Sequence, residues 1–281
     1  MTKKMTEHKK YRDILLQIGE VFHKMKSIRP LSEGEVRYYY DEFSISASHN
    51  SNAIEGNTFT YDETRLLLKE GITSNARSFR EHEEIIGYKR AFDYLYSSVK
   101  DNALLSEEFI KKLHGYVLRG DEDAGQYRKI QNYVGDMFSV KYKPCPPAEV
   151  PEKMRTYVEE LRKDLAKNAK IKEQNDPEWA ELFYNLAKHH IEFEKIHPFV
   201  DGNGRTGRLL LTYEMVYIGL LPVDIRYEER SRYYAALAAY EDKEKYSTRA
   251  ESKFEAMAKL LAESELASMQ AWLHTFGNNE I

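Results

Sequence analysis

The run His197-Pro-Phe-Val-Asp-Gly-Asn-Gly-Arg-Thr-Gly-Arg208 gathers one imidazole, one carboxylate, one asparagine, three glycines and two arginines in a single short stretch. That inventory suits the transfer of part of a nucleoside triphosphate. Glycines let the backbone turn tightly and aim N–H groups at phosphate oxygens. Arginines present planar, permanently charged forks that match phosphate geometry. Asp201 is a carboxylate able to hold Mg²⁺ (or Mn²⁺), since such ions take one or two carboxylates plus substrate phosphates. His197 is the one side chain of the run that titrates near neutrality, which makes it the natural general base.

The elements that must position this run read as helices. Apolar periodicity predicts helices over about 10–27, 33–47, 61–69, 79–99, 106–117, 151–169, 177–195, 230–242 and 252–274. Gly71 reads as a C-cap, and Asp176-Pro177 as a helix start. The polar stretch 50–60, punctuated by Gly56, reads as a turn or short capped segment. Residues 125–147 break the helical pattern: Tyr127, Ile130, Tyr133, Val134, Phe138 and Val140 surround Gly135-Asp136 and predict a hairpin. The fold class is therefore all-α with one small β-hairpin. His197 ends one helix, and Gly204 or Arg205 starts the next, running to about Tyr217. The glycine turn then lies at a helix N-terminus, which attracts anions. Arg205 and Arg208, three apart, share a face near that end.

The run resembles the signature of the Fic family, His-x-Phe-x-(Asp/Glu)-Gly-Asn-Gly-Arg-x-x-Arg, and all eight specified positions match. The resemblance covers roughly 50–242 and implies transfer of AMP from ATP to a Ser, Thr or Tyr hydroxyl of a target protein. It implies His197 as base and Asp201 as the metal carboxylate. The nucleotide would be held by Gly202, Asn203, Gly204, Arg205, Thr206, Gly207 and Arg208, with Phe199 packed under the loop. Thr206 also reads as helix packing, with Leu209 and Leu210. The kinase-like Doc branch departs from this pattern at the second glycine. Here Gly204 and Arg205 are intact.

Upstream, Ser51-Asn-Ala-Ile-Glu55-Gly56-Asn57 fits the inhibitory pattern (Ser/Thr)-x-x-x-Glu-(Gly/Asn) of that family. The resemblance implies that Ser51, Glu55 and Gly56 form a brake in which Glu55 pairs with Arg208 and takes the place of the γ-phosphate. By residue type alone, the same segment would equally be a helix cap or turn. The hairpin resembles the family's target-docking flap (126–143), where an edge strand pairs with the target's main chain. Asn132, Tyr133, Val134 and Gly135 would border the nucleotide. Tyr233 and Tyr234 resemble a pair lining the adenine pocket, or else are core tyrosines. Glu241 stands where relatives often carry Asn.

The resemblance divides the chain into an N-terminal helical segment (1–49), the inhibitory segment (50–60), the Fic core (61–245) and a C-terminal helix (246–281). A homodimer is an expectation from the same source. His189, His190, Glu192 and Glu194 lack a zincin spacing and read as helix surface and loop support, and His82-Glu83-Glu84 as a solvated face. With 281 residues, a 42% hydrophobic fraction and 31% charged residues, the chain can bury a real core. A net charge of −4 gives no electrostatic case for nucleic acid. Cys145, the single cysteine, excludes an internal disulfide. No apolar stretch follows the charged N-terminus MTKKMTEHKKYRD, so neither signal peptide nor membrane span is expected, and the cytoplasm is the default location. Two alternatives share the site: a de-adenylylase, or a transferase of another nucleotide. A third is a non-catalytic, nucleotide-dependent binding module.

Overall fold

A computed structural model describes residues 2–73, 77–136, 139–168, 178–239 and 253–277. The helices are α1 (Thr2–Ser27), α2 (Glu33–Ile54), α3 (Tyr61–Glu70), α4 (Phe79–Lys100) and α5 (Glu107–Val117). They are followed by α6 (Val150–Asn168), α7 (Trp179–Ile196), α8 (Asn203–Ile218), α9 (Arg230–Ala239) and α10 (Glu255–Phe276). Strands β1 (Val134–Asp136) and β2 (Ser139–Tyr142) pair antiparallel between α5 and α6, with Gly135 opposite Val140 and Asp136 opposite Ser139. The all-α class with one small hairpin is borne out. Among the described residues, no helix is long and apolar enough to cross a membrane.

Helix α8 is the centre. Arg205 through Val216 are all buried, so the helix has no solvated face. α4, α5, α6 and α7 pack around it, and α10 covers α7 from outside. α1 lies against α10 and α7, burying Ile14, Ile18 and Phe22, with Phe22 edge-on to Trp179 at 5.3 Å. One continuous core runs from Ile14 to Met269. Each fully buried Phe or Leu in it is worth about 1.5–3 kcal/mol.

Three helices begin with a reciprocal capping box: Ser32 with Glu35, Thr60 with Glu63, and Ser78 with Glu81. In each, the cap hydroxyl accepts from the third backbone N–H while the glutamate accepts from the cap N–H. Gly71 closes α3 at φ 68, as its position suggested.

Several expectations are corrected. α1 begins at Thr2 rather than near Lys10. α2 runs seven residues beyond Ala47, so Ser51 to Ile54 form its last turn instead of a separate loop. The extension escapes apolar periodicity because its buried face is polar and satisfied internally. Ser48 Oγ donates to Ser44 O and Asn52 Nδ2 to Ser48 O, while Asn50 Nδ2 reaches Asp224. The paired strands are shorter than the predicted flap: Tyr127, Ile130 and Tyr133 precede β1. Asp176-Pro177, Glu241 and Phe138 lie outside the described residues.

Candidate active site

The loop between α7 and α8 is built around His197. It caps α7 in the left-handed region, at φ 50 and ψ 60, with its N–H on Phe193 O. A non-glycine residue held there is unusual and costs strain, which a well-braced loop can sustain. The brace is Arg128. Its buried guanidinium donates to His197 O at 2.8 Å, Ile130 O at 3.1 Å and Cys145 O at 2.6 Å, and its N–H donates to Pro198 O. His197 Nδ1–H donates to Glu194 O at 3.2 Å, which leaves the Nε2 lone pair free. Burial pushes this imidazole down to about 4, against a weaker upward pull from Glu55 and Asp201. It is therefore neutral at pH 7 and able to accept a proton.

Phe199 is fully buried and stacks on His114, with ring centroids 3.7 Å apart and planes within 3°. The His114 ring ties two loops together. Its Nδ1 accepts from Gly125 N–H, and its Nε2–H donates to Asp201 O, both at 2.9 Å. Burial lowers His114 to about 4, so it holds this neutral tautomer. The sequence pattern gave neither Arg128 nor His114 a role in this loop. Their roles run through main-chain atoms of the loop, which no side-chain spacing encodes.

The turn then opens α8. Gly202 sits at φ 73, and a Cβ there would press on His114 and Leu118. Its N–H binds Asp201 Oδ1. The first N–H groups of α8, from Asn203 to Arg205, have no intrahelical acceptor, which makes an anion cradle. The Asn203 side chain does not face that cradle. Its Oδ1 accepts from Phe199 N–H and its Nδ2 donates to Phe199 O, both at 2.9 Å, so it staples the loop. Thr206 is fully buried, and Gly207 packs on Glu194 and Phe193. Both residues turn to the core, as the packing reading of Thr206 expected.

Asp201 keeps its carboxylate 53% exposed beside two cations, Arg80 at 3.1 Å and Arg205 at 3.8 Å. A single outward carboxylate at an anion cradle fits a metal ion whose remaining ligands are phosphates and water. Arg205 is buried between Glu84 and Asn52. Glu84 also accepts from Asn57, and His82 is buried edge-on to Phe59, so 82–84 is not the solvated face its charges suggest.

Arg208 is 5% exposed and reaches three acceptors of α2. Its Nε donates to Ser51 Oγ at 2.8 Å, and its Nη2 to Ser51 O at 2.9 Å and to Glu55 Oε1 at 2.7 Å. Its Nη1 is buried with no hydrogen-bond partner among the described residues. Glu55, with its side chain 35% exposed, lies over the start of α8, and a Cβ on Gly204 would collide with Glu55 Oε1. The end of α2 dictates this placement. Gly56 at φ 97 donates to Ala53 O, and Asn57 N–H donates to Asn52 O. That Schellman closure stops the helix with Glu55 as its cap. Glu194 faces the same cluster from α7. Its Oε1 has no hydrogen-bond partner among the described residues, and burial holds the group up at about 8.

The tyrosine pair divides. Tyr233 is buried under the Arg208 guanidinium at 5.7 Å, with its hydroxyl donating to His190 Nε2 at 2.8 Å, the surroundings of a core tyrosine. Tyr234 remains accessible and donates to Ile54 O at the tip of α2. His189 and His190 are buried too. His189 bridges Asp164 and Glu214, which is core support and not helix surface. At the hairpin, Asn132 Nδ2 donates to Phe199 O and Val200 O, which roots the segment on the loop. Tyr142 OH donates to Lys195 O from the other strand. Tyr133 and Gly135 are exposed beside it, with Val134 half-buried.

Residues 104–215, from before α5 to within α8, match the model of the Fic/DOC family. A protein adenylyltransferase of Caenorhabditis elegans is 34% identical over 193 residues, 67% of this chain and 35% of its own length. A protein adenylyltransferase of Nematostella vectensis is 31% identical over 230 residues, 80% of this chain and 50% of its own length. The chain thus spans half or less of these relatives. A Fic-domain-containing signalling protein from Bacteroides thetaiotaomicron superposes with a TM-score of 0.77 at 27% identity, over 90% of this chain and 94% of its own. A C. elegans Fic-1 fragment gives 0.74 at 26% identity, over 99% and 76%. The geometry of the loop, the matched signature and these likenesses agree: the chain belongs to the Fic/DOC family.

Proposed function

We propose that the chain transfers AMP from ATP to a hydroxyl group of a target protein, and that Glu55 holds this activity in check. His197 Nε2 takes the proton of the hydroxyl. The oxygen forms a bond to the α-phosphorus as the bond from that phosphorus to pyrophosphate breaks. The N–H groups at the start of α8 cradle phosphate oxygens, and Arg205 and Arg208 neutralise the outer charges. Asp201 would hold Mg²⁺ or Mn²⁺, which would screen charge on the phosphates when bound. Arg80 must then yield Asp201 Oδ2, a small cost because that pair is mostly exposed. The free side of the hairpin at 134–136 offers main-chain groups to a target segment, holding its hydroxyl near His197. Tyr234 supplies the accessible aromatic wall.

The observation that carries this reading is the 2.7 Å contact between Glu55 Oε1 and Arg208 Nη2 directly over Gly204. A carboxylate there competes with phosphate for the same fork, and ATP bound around it misses the in-line path. The test is transfer of label from α-phosphate-labelled ATP, with Mg²⁺, to the protein and to a lysate. Label should rise in Glu55→Gly and vanish when His197→Ala is added. ATP binding with no label in either form would instead leave a nucleotide-dependent binding module.

A further inference from the structure

A cleft of about 710 Å³ opens between α4, α5 and the 119–125 segment, apart from the loop that holds His197. Its walls carry four cations, Arg90, Lys111, Lys112 and Arg119, together with Tyr116 and the backbone of Gly125. No carboxylate lines it, on a chain whose net charge is −4. The acidic run Asp121, Glu122 and Asp123 follows Arg119 but stays outside the walls. None of the four cations makes an ion pair among the described residues. Lys111 Nζ sits over the Tyr127 ring at 4.4 Å and Lys112 Nζ over the Tyr94 ring at 4.6 Å. Ring faces hold an ammonium in place without neutralising it. Surface cations without counter-ions repel one another, so four around one concavity form a focused positive field.

We propose that this cleft binds a small, multiply phosphorylated molecule. The volume falls within the range of small-ligand sites, about 300–1,000 Å³. Four charges inside it suit dense negative charge better than an extended acidic peptide, whose carboxylates are spread along a chain. The cleft is also wired to the signature loop. Gly125, at φ 72 and tight against Lys111 O, gives its N–H to His114 Nδ1, and the far side of that ring holds Asp201 O. An anion drawn onto Lys111 and Gly125 therefore bears on the main chain of Asp201 through one imidazole.

The test is calorimetric titration of the full chain with inorganic tripolyphosphate at low salt, alongside a hexaglutamate peptide. The His114 ring signals are followed by NMR in parallel. Lys112 and Arg119 are exposed, so Lys112→Glu/Arg119→Glu should fold normally. Arg208→Ala reports on the α8 anion cradle. Tripolyphosphate should bind wild type and Arg208→Ala alike, at least ten-fold more weakly to the double variant, and should move the His114 signals. Equal affinity for wild type and the double variant would overturn the proposal. So would loss of binding in Arg208→Ala alone, or hexaglutamate binding as tightly as tripolyphosphate.

Discussion

Replacing Glu55 by glutamine separates charge from shape at the proposed brake. Glutamine keeps the length of the side chain and one acceptor oxygen over Gly204, but loses the charge facing Arg208. Arg208 stays charged, so its bond to the amide oxygen remains charge-assisted, and only the ion-pair attraction is lost, about 0.2–1 kcal/mol for a partly exposed pair. At 1.4 kcal/mol per factor of ten, that is about a 1.4- to five-fold rise in the open fraction while the open form stays the minority. Glu55→Gly removes the contact altogether. A hydrogen bond to a charged group contributes about 1.5–3 kcal/mol net. Because the Glu55 side chain is 35% exposed, the lower part of that range applies, giving about 10- to 50-fold. Arg208 stays placed in both variants, because Ser51 still accepts from Nε and Nη2. The assay is the initial rate of label transfer from α-phosphate-labelled ATP at saturating ATP and fixed ionic strength. The order should be wild type, then Glu55→Gln, then Glu55→Gly. Glu55→Gln at the wild-type rate would mean that bulk and the remaining hydrogen bond close the site, and would refute the electrostatic argument. Glu55→Gly without gain would refute the brake.

The acidic limb of the rate, measured on Glu55→Gly, should fall near pH 4 with a plateau through neutrality. The base must be unprotonated, burial lowers His197 to about 4, and removing the Glu55 charge, which raises it, cannot move the limb upward. A limb near 6.5 would show an imidazole in ordinary solvent contact and overturn this placement. Arg128→Met should lower stability by about 3 kcal/mol or more, since several carbonyls lose their partner at once. Denaturant melts would check this, and label transfer in the Glu55→Gly background should drop with it. Unchanged melting and unchanged transfer together would show that the loop does not need the brace.

The parts legible in the sequence were those with a repeating or fixed-offset signal. Helices α3 to α7 follow apolar spacing, and Gly71 marks its cap. The order His197, Asp201, Arg205, Arg208 puts the imidazole, the carboxylate and both guanidiniums around one turn. What stayed hidden has no such period. The last turn of α2 buries serine and asparagine, residues that ordinarily signal a loop, because their side chains satisfy one another and Asp224. Asn203 reads as a phosphate contact until both ends of its amide are found on Phe199. Tyr233 and Tyr234 are neighbours in sequence, yet helical geometry turns them to different surroundings, one under Arg208 and one to solvent. Arg128 and His114 act across 69 and 87 positions of chain, on carbonyls that every residue possesses.

Helix α2 is a single beam of 22 residues, about 33 Å long at 1.5 Å per residue. Its tip carries Glu55 with no hinge between. Along its length it is riveted to one neighbourhood: Ser46 and Asn50 to Asp224, Asn50 to Tyr227 N–H, and Ile54 O to Tyr234. The backbone that carries this carboxylate therefore cannot swing away as a loop would, and only the rotamers of Glu55 itself move the group locally. Withdrawing it far requires sliding or tilting the whole beam, or unwinding its last turn at Gly56. A mechanical load applied at Glu33, or at the Asp224 anchorage, would reach the mouth of the nucleotide cradle undiminished by slack. The far end of α2 is in that sense a handle.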